Sequence, residues 1–310
     1  MTVYKHQPVL LSEVIQGLNI NPNGIYVDAT FGRGGHSVAI LEKLSKKGKL
    51  IALDKDYTAV KEAKKIKDKR FSIHHASFTH IKEITDIENC TGKVDGILMD
   101  LGVSSPQLDD ASRGFSFRKE GPLDMRMDTT KGKPLWEYLE KMTEKKLEEI
   151  IKSYGEEKFA KRIAKAIVFS RKNETIKTTT QLANIIASAH PSWKKDKHPA
   201  TQTFQALRIF MNDELSDIHQ TLPVCLDVLR VGGRLLVISF HSLEDRIMKK
   251  FIQHEIQGGG GKNLRKIPLR QNELSVKLRC AGRAIRPSTH EITYNPRSKS
   301  AVLRIVEKIK

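Results

Sequence analysis

The chain has 310 residues, enough to bury one substantial core. It contains no run of about 18 uninterrupted apolar residues, which argues against membrane-spanning helices. Lys and Arg number 54 against 36 Asp and Glu, a formal net charge of +18 that favours a polyanionic partner such as RNA, DNA or the ribosome. The cysteines, Cys90, Cys225 and Cys280, have no CxxC spacing, so neither a disulfide framework nor a zinc site is indicated; a soluble, unprocessed protein of the reducing cytoplasm is expected, with no metal.

In chain order, "PVLLSEVIQGL" has helical spacing with Pro8 at an early helix position, and leads into "GIYVDAT", a short buried strand. "HSVAILEKL" predicts a helix ending near Gly48, and "KLIALDKD" a second strand, which completes a βαβ unit. "TAVKEAKKIKD" is a charged amphipathic helix, whose basic run at 61–70 most simply faces solvent. "FSIHHASF" and "VDGILMDLGVSS" read as third and fourth strands of a buried parallel sheet.

From Pro106 to Leu207 the texture changes to loops and to helical segments around 134–153, 156–171 and 178–190. The sheet pattern resumes with "TLPVCLDVLRVGGRLLVISFHS", a helix, a Gly-Gly turn and a strand, and closes with the strand "SAVLRIVEK". This order predicts an α/β fold with a doubly wound sheet, formed by 1–105 and 208–310 and interrupted by a helical insert at 106–207. The segment 257–288 is glycine-rich and then basic. Between Lys262 and Arg286 it carries eight Lys and Arg and one acid, Glu273, which makes it a nucleic-acid candidate.

The chemistry concentrates at strand ends. "DATFGRGGHS", Asp28 to Ser37, is a glycine turn between strand and helix, where Gly32, Gly34 and Gly35 let a ligand approach the backbone. It is not GxGxxG, because Ser37 stands at the last glycine position, so the dinucleotide signal is weak. Asp54 ends the second strand, where a carboxylate can accept from ribose hydroxyls. Phe78 follows the third strand and can cover an adenine or join the core, and Asp100 ends the fourth. "SFHSLEDR" offers Ser239, His241 and Asp245, but no nucleophile elbow; Ser242 as a helix N-cap with Asp245 three residues on explains the stretch better than a hydrolase triad. His241 can instead line the substrate side of the crevice. So can the insert loop with Arg113, Phe115 and Phe117, whose arginine and aromatics suit a base splayed from RNA, although core packing serves equally well.

Together, "DATFGRGGHS", "ALDKD", "DGILMDLGVSSPQLDDASRGFSF", "GPLDMRMD", "YGEEKFAKRIA", "HPATQTFQALRIFMNDEL", "GGRLLVISFHSLEDR" and "NPRSKSAVLRI" resemble the bacterial ribosomal RNA small subunit methyltransferase H family. The likeness runs in order from Tyr4 to near the C-terminus and is weakest over 257–288. It implies a class I (Rossmann-like) methyltransferase fold, S-adenosyl-L-methionine as methyl donor, and methylation of the exocyclic N4 of a cytosine in the decoding region of 16S rRNA. It further implies that Gly34, Gly35 and His36 contact the donor, with Asp54 on its ribose and Phe78, Asp100 and Gln107 completing the pocket. For the cytosine amine the acceptor is Asp100 or the carbonyls of the loop Leu101 to Ser105, unless Asp100 only orients the donor's amino group. The alternatives are a non-catalytic RNA-binding ribosome-assembly factor and an NAD-dependent oxidoreductase, the latter leaving the positive charge unexplained.

Overall fold

The structure, a computed structural model, describes residues 8–191, 198–258 and 276–310. The glycine-rich first half of the basic stretch, 259–275, and Tyr4 therefore lie outside the described residues. By its internal contacts the chain forms two compact units, Met1–Gly102 with Leu215–Lys310, and Val103–Glu214.

The chain begins with α1 (Leu11–Leu18), β1 (Ile25–Asp28), α2 (Gly35–Lys43), β2 (Lys49–Asp54), α3 (Tyr57–Ala63), β3 (Phe71–His75), α4 (Ile81–Ile87) and β4 (Val94–Asp100). Among the described residues there follow α5 (Ser105–Asp109), α6 (Leu135–Lys141), α7 (Glu144–Gly155), α8 (Ala160–Ser170), α9 (Thr179–Ala189) and α10 (Ala200–Met211). The rest comprises α11 (Glu214–Val228), β5 (Leu229–Ser239), α12 (Ser242–Ile256), β6 (Leu278–Cys280), α13 (Thr289–Tyr294) and β7 (Val302–Lys308).

The first unit is built on a seven-stranded sheet in the order β3-β2-β1-β4-β5-β7-β6. β1 to β5 pair in parallel, and β7 runs antiparallel to both β5 and β6. The direction of winding reverses between β1 and β4, and open α/β sheets bind ligands at the carboxyl ends of strands flanking such a switch. Alternate residues of one strand feed opposite faces: Ile97, Met99, Leu235 and Val237 join a core with Ile84, Leu222 and Met248, whereas Leu98, Leu236 and Ile238 join Val14, Leu18 and Ile40 on the other side. Burial of both faces explains why these strands read as almost continuous apolar runs.

Local chemistry shifts several expected boundaries. Pro8 precedes α1 instead of entering it, because Leu10 takes a left-handed φ of 54°, and its N–H donates to the buried Glu291 carboxylate at 2.8 Å. The second helix stops at Lys43, well short of Gly48, once Leu44 becomes extended. The Gly-Gly pair does not end the element before a strand but lies inside β5: Gly232 has φ 80°, and pairing with β4 shifts register between Val94 and Gly96.

The second unit packs α6 to α10 around Leu147, Ile151, Ile163, Ile167, Leu182, Phe204 and Leu207. Thr178 and Gln181 cap α9 reciprocally, and Thr143 caps α7 through the Lys146 N–H. Gly155 lies so close to the Gln202 carbonyl of α10 that a Cβ there would stand 2.7 Å from that oxygen. Position 207 falls inside α10.

Candidate functional site

At the end of β1, Asp28 is 1% exposed, and its Oδ2 accepts a 2.6 Å hydrogen bond from the Ser37 hydroxyl. Its Oδ1 accepts from the Thr30 N–H at 3.2 Å. Burial raises the Asp28 carboxyl above its ordinary pKa, while the Ser37 bond pulls the other way. Ser37 is thus no failed glycine; it supplies the donor that a buried acid requires. Thr30 extends the network, its hydroxyl oxygen accepting from the Asp100 N–H at 2.6 Å and locking the end of β4 beside that of β1.

The turn itself needs its glycines for packing as well as for approach. Gly34, the N-cap of α2, has φ 75°, and a Cβ there would run into the Phe31 ring. A Cβ on Gly35 would run into Pro8. His36 follows on the first turn of α2, buried, with Nε2 3.6 Å from Asp100 Oδ2. His36 Nδ1 and Asp100 Oδ1 are both buried and make no hydrogen bond. Buried polar atoms are normally satisfied, so this edge of the sheet is shaped for groups that a ligand brings.

Asp54 closes β2. Its Oδ2 accepts from the Gly32 N–H and its Oδ1 from the Asp56 N–H, both at 2.7 Å. Desolvation pushes the Asp54 carboxyl up to about 6; the two amide bonds oppose it, and the nearby Asp56 and Asp28 charges reinforce it. Phe78 sits in the short 3₁₀ turn after β3, 9% exposed and part of the core with Ile81 and Ile84. Gly34, Gly35, His36, Asp54, Phe78 and Asp100 all belong to the first unit, at or just beyond the carboxyl ends of β1 to β4.

The remaining predicted residues divide. His241, not Ser242, is the N-cap of α12: its Nδ1 accepts from the Glu244 N–H at 3.5 Å, and Glu244 accepts from the His241 N–H at 3.2 Å. The expected Ser242 and Asp245 cap fails because Asp245 is held elsewhere, by Arg304 at 2.6 Å and Lys249 at 2.7 Å. In the second unit Gln107 is buried, and its side-chain oxygen accepts from the Ser104 N–H at 2.8 Å within the capping box of α5. Arg113 donates to the carbonyls of Arg126 and Met127 at 3.0 Å each, bracing its own loop. Phe115 is a core residue at 6% exposure, and Phe117 packs edge-on against Phe204 at 4.9 Å and beside His198. Sequence reasoning missed Asp28, Thr30 and Glu244 as organisers. The one legible signal was an acid at the end of β1 matching those at the ends of β2 and β4.

A parallel sheet with a reversed β7, a left-handed glycine turn at the switch point and acids closing β1, β2 and β4 define an α/β enzyme of the class I methyltransferase type. The model of the MraW methylase family matches residues 3–309, and the chain belongs to that family. It is 53% identical to a protein of Legionella pneumophila (strain Paris) named ribosomal RNA small subunit methyltransferase H, across 98% of this chain and 99% of that one. A protein of the same name from Nitrosospira multiformis is 50% identical across 98% of each. A solved rRNA methylase from Streptococcus thermophilus aligns over 99% of this chain and 100% of its own at 12% identity and TM-score 0.43, a likeness too loose to bear on mechanism. Family membership removes the oxidoreductase alternative.

Proposed function

We propose that the protein transfers a methyl group from S-adenosyl-L-methionine to the exocyclic N4 of a cytosine in the decoding region of 16S rRNA, acting in the cytoplasm on the small ribosomal subunit. The observation that carries this reading is membership of the methylase family together with relatives at 50–53% identity named for the small-subunit RNA. The acceptor base and the small-subunit context come from the sequence resemblance.

The residues present fit the donor. The buried His36 and Asp100 atoms that make no hydrogen bond, and the glycine turn beside them, suit the polar amino-acid end of that molecule. Asp54, already ordered by two backbone amides, keeps lone pairs for the ribose hydroxyls. Gly34, Gly35 and His36 hold the donor at the first turn of α2, with Phe78 completing the pocket within the first unit. When bound, the donor supplies a methyl group on an electron-poor sulfonium.

The protein's own work is chiefly alignment, which for held reactants is worth effective molarities of about 10⁵ M or more. Cytosine N4 is conjugated and weakly nucleophilic, so a carboxylate that accepts one of its hydrogens sharpens the attack. Asp100 takes that role, its backbone fixed by Thr30 and its side chain beside His36. Arg113 and Phe117 serve RNA recognition in the helical unit, with Phe115 supporting the loop that carries them; His241 serves it separately in the first unit. A base can be reached at its amine only when unpaired or flipped, which suits a separate helical unit as the RNA-recognition element.

The test is transfer of labelled methyl to 30S subunits lacking the modification. Label in 16S rRNA supports the reading, and RNA binding without transfer would point to an assembly factor.

A further inference from the structure

Helix α8 lies far in sequence from the residues placed in the donor pocket. Its inner side, Ile163, Ala164 and Ile167, is buried in the second unit's core. On the outer side Phe169 stands 67% exposed, the most solvent-accessible phenylalanine among the large apolar side chains. Lys161 and Lys165 precede it at intervals of four residues and are also exposed, so the three form one ridge with about 6 Å between successive positions. Lys172 follows one turn later, again exposed.

Charge is segregated here. Between Glu157 and Glu174 the sequence holds Lys158, Lys161, Arg162, Lys165, Arg171 and Lys172 and no acid. Of these, Arg171 turns inward to the carbonyls of Leu139 and Met142. The neighbouring α7 instead mixes Glu144, Glu148 and Glu149 with Lys145, Lys146 and Lys152, the balanced pattern of a solvated helix.

We infer that the α8 ridge docks a single-stranded stretch of the RNA substrate, with Phe169 as a stacking platform and Lys161, Lys165 and Lys172 on phosphates. The inference rests on the RNA-methylating reading above. An exposed aromatic between cations is the combination that sequence-tolerant strand binding uses, since every base has a stacking face and every nucleotide a phosphate. A second copy of this chain is the wrong partner, because it would set the same cations against one another.

The experiment measures methylation of unmodified 30S subunits across a salt series. Phe169→Ala should raise KM for the subunit about tenfold with kcat unchanged, and Phe169→Trp should restore it. Lys161→Gln and Lys165→Gln should each lower the slope of log affinity against log salt by about 0.7, whereas Phe169→Ala should leave that slope alone. S-adenosylhomocysteine affinity, unchanged in every variant, shows that the proteins are folded. A benzophenone photo-crosslinker at position 169 should attach to 16S rRNA. Attachment to a ribosomal protein instead, or variants that match the parent in KM and salt slope while the parent methylates, would overturn the α8 surface. A parent that transfers no methyl to RNA would overturn the reading beneath it.

Discussion

Ser37→Ala removes the only side-chain donor on Asp28 among the described residues, and the resulting loss of stability follows from the local geometry. The Ser37 hydroxyl is 2.6 Å from a carboxylate that is 1% exposed. A hydrogen bond to a charged group contributes about 1.5–3 kcal/mol, and a buried acceptor left unsatisfied retains its desolvation cost, so a loss of about 2 kcal/mol near neutral pH is expected. Ser37→Gly, which would complete a dinucleotide-type glycine pattern, should cost about 1 kcal/mol more because glycine is poor in a helix. The pH dependence has a definite sign. Burial raises the folded-state pKa of Asp28 and Ser37 opposes that rise, so the loss should be largest where Asp28 is ionised and shrink as acid protonates it. Urea unfolding of the parent, Ser37→Ala, Asp28→Asn and the double variant would measure this, with a coupling energy well above 0.5 kcal/mol (roughly the additivity limit) expected at neutral pH. Additive effects, or a Ser37→Ala loss that does not vary with pH, would show that Ser37 does not stabilise the ionised Asp28.

Other outcomes follow from the same geometry. Gly34→Ala should abolish tight donor binding, because φ 75° strains any other residue by about 1 kcal/mol and its Cβ meets the Phe31 ring; calorimetry with S-adenosylhomocysteine checks this. Asp54 is held near 6 by burial, so its contribution to apoprotein stability is present at acid pH and fades as pH rises through 6. Donor binding, which needs the ionised form, should run the opposite way, weakening about fivefold from pH 6 to pH 5, with a flat profile for Asp54→Asn. Asp100→Asn should lower single-turnover methyl transfer about 100-fold or more. Full turnover together with full donor affinity in that variant would remove Asp100 from the site.

The sheet was legible because its strands are local, apolar and closed by acids: β1, β2, β3 and β4 lie where their residue patterns put them. β6 escaped notice because three residues become a strand only through pairing with β7, and α4 because seven residues give less than two turns of periodicity. The α12 cap was misread by one residue for a tertiary reason. Asp245 looked free to cap until Arg304, 59 positions away, claimed it, leaving His241 and Glu244 to form the box. In the glycine turn the sequence exposed every candidate but not their division of labour. Gly35 is small for Pro8, and Ser37 is polar for Asp28.

Methyl transfer to the cytosine N4 is read most directly at the modified nucleotide itself. Unmodified 30S subunits would be incubated with the protein and methyl-labelled S-adenosyl-L-methionine, the 16S rRNA digested, and the labelled nucleoside placed by mass spectrometry. A single labelled cytidine in the decoding region, carrying the methyl on N4, is the expected result. Label on a ring carbon, on another base, or absent from the rRNA while the protein binds donor would contradict it.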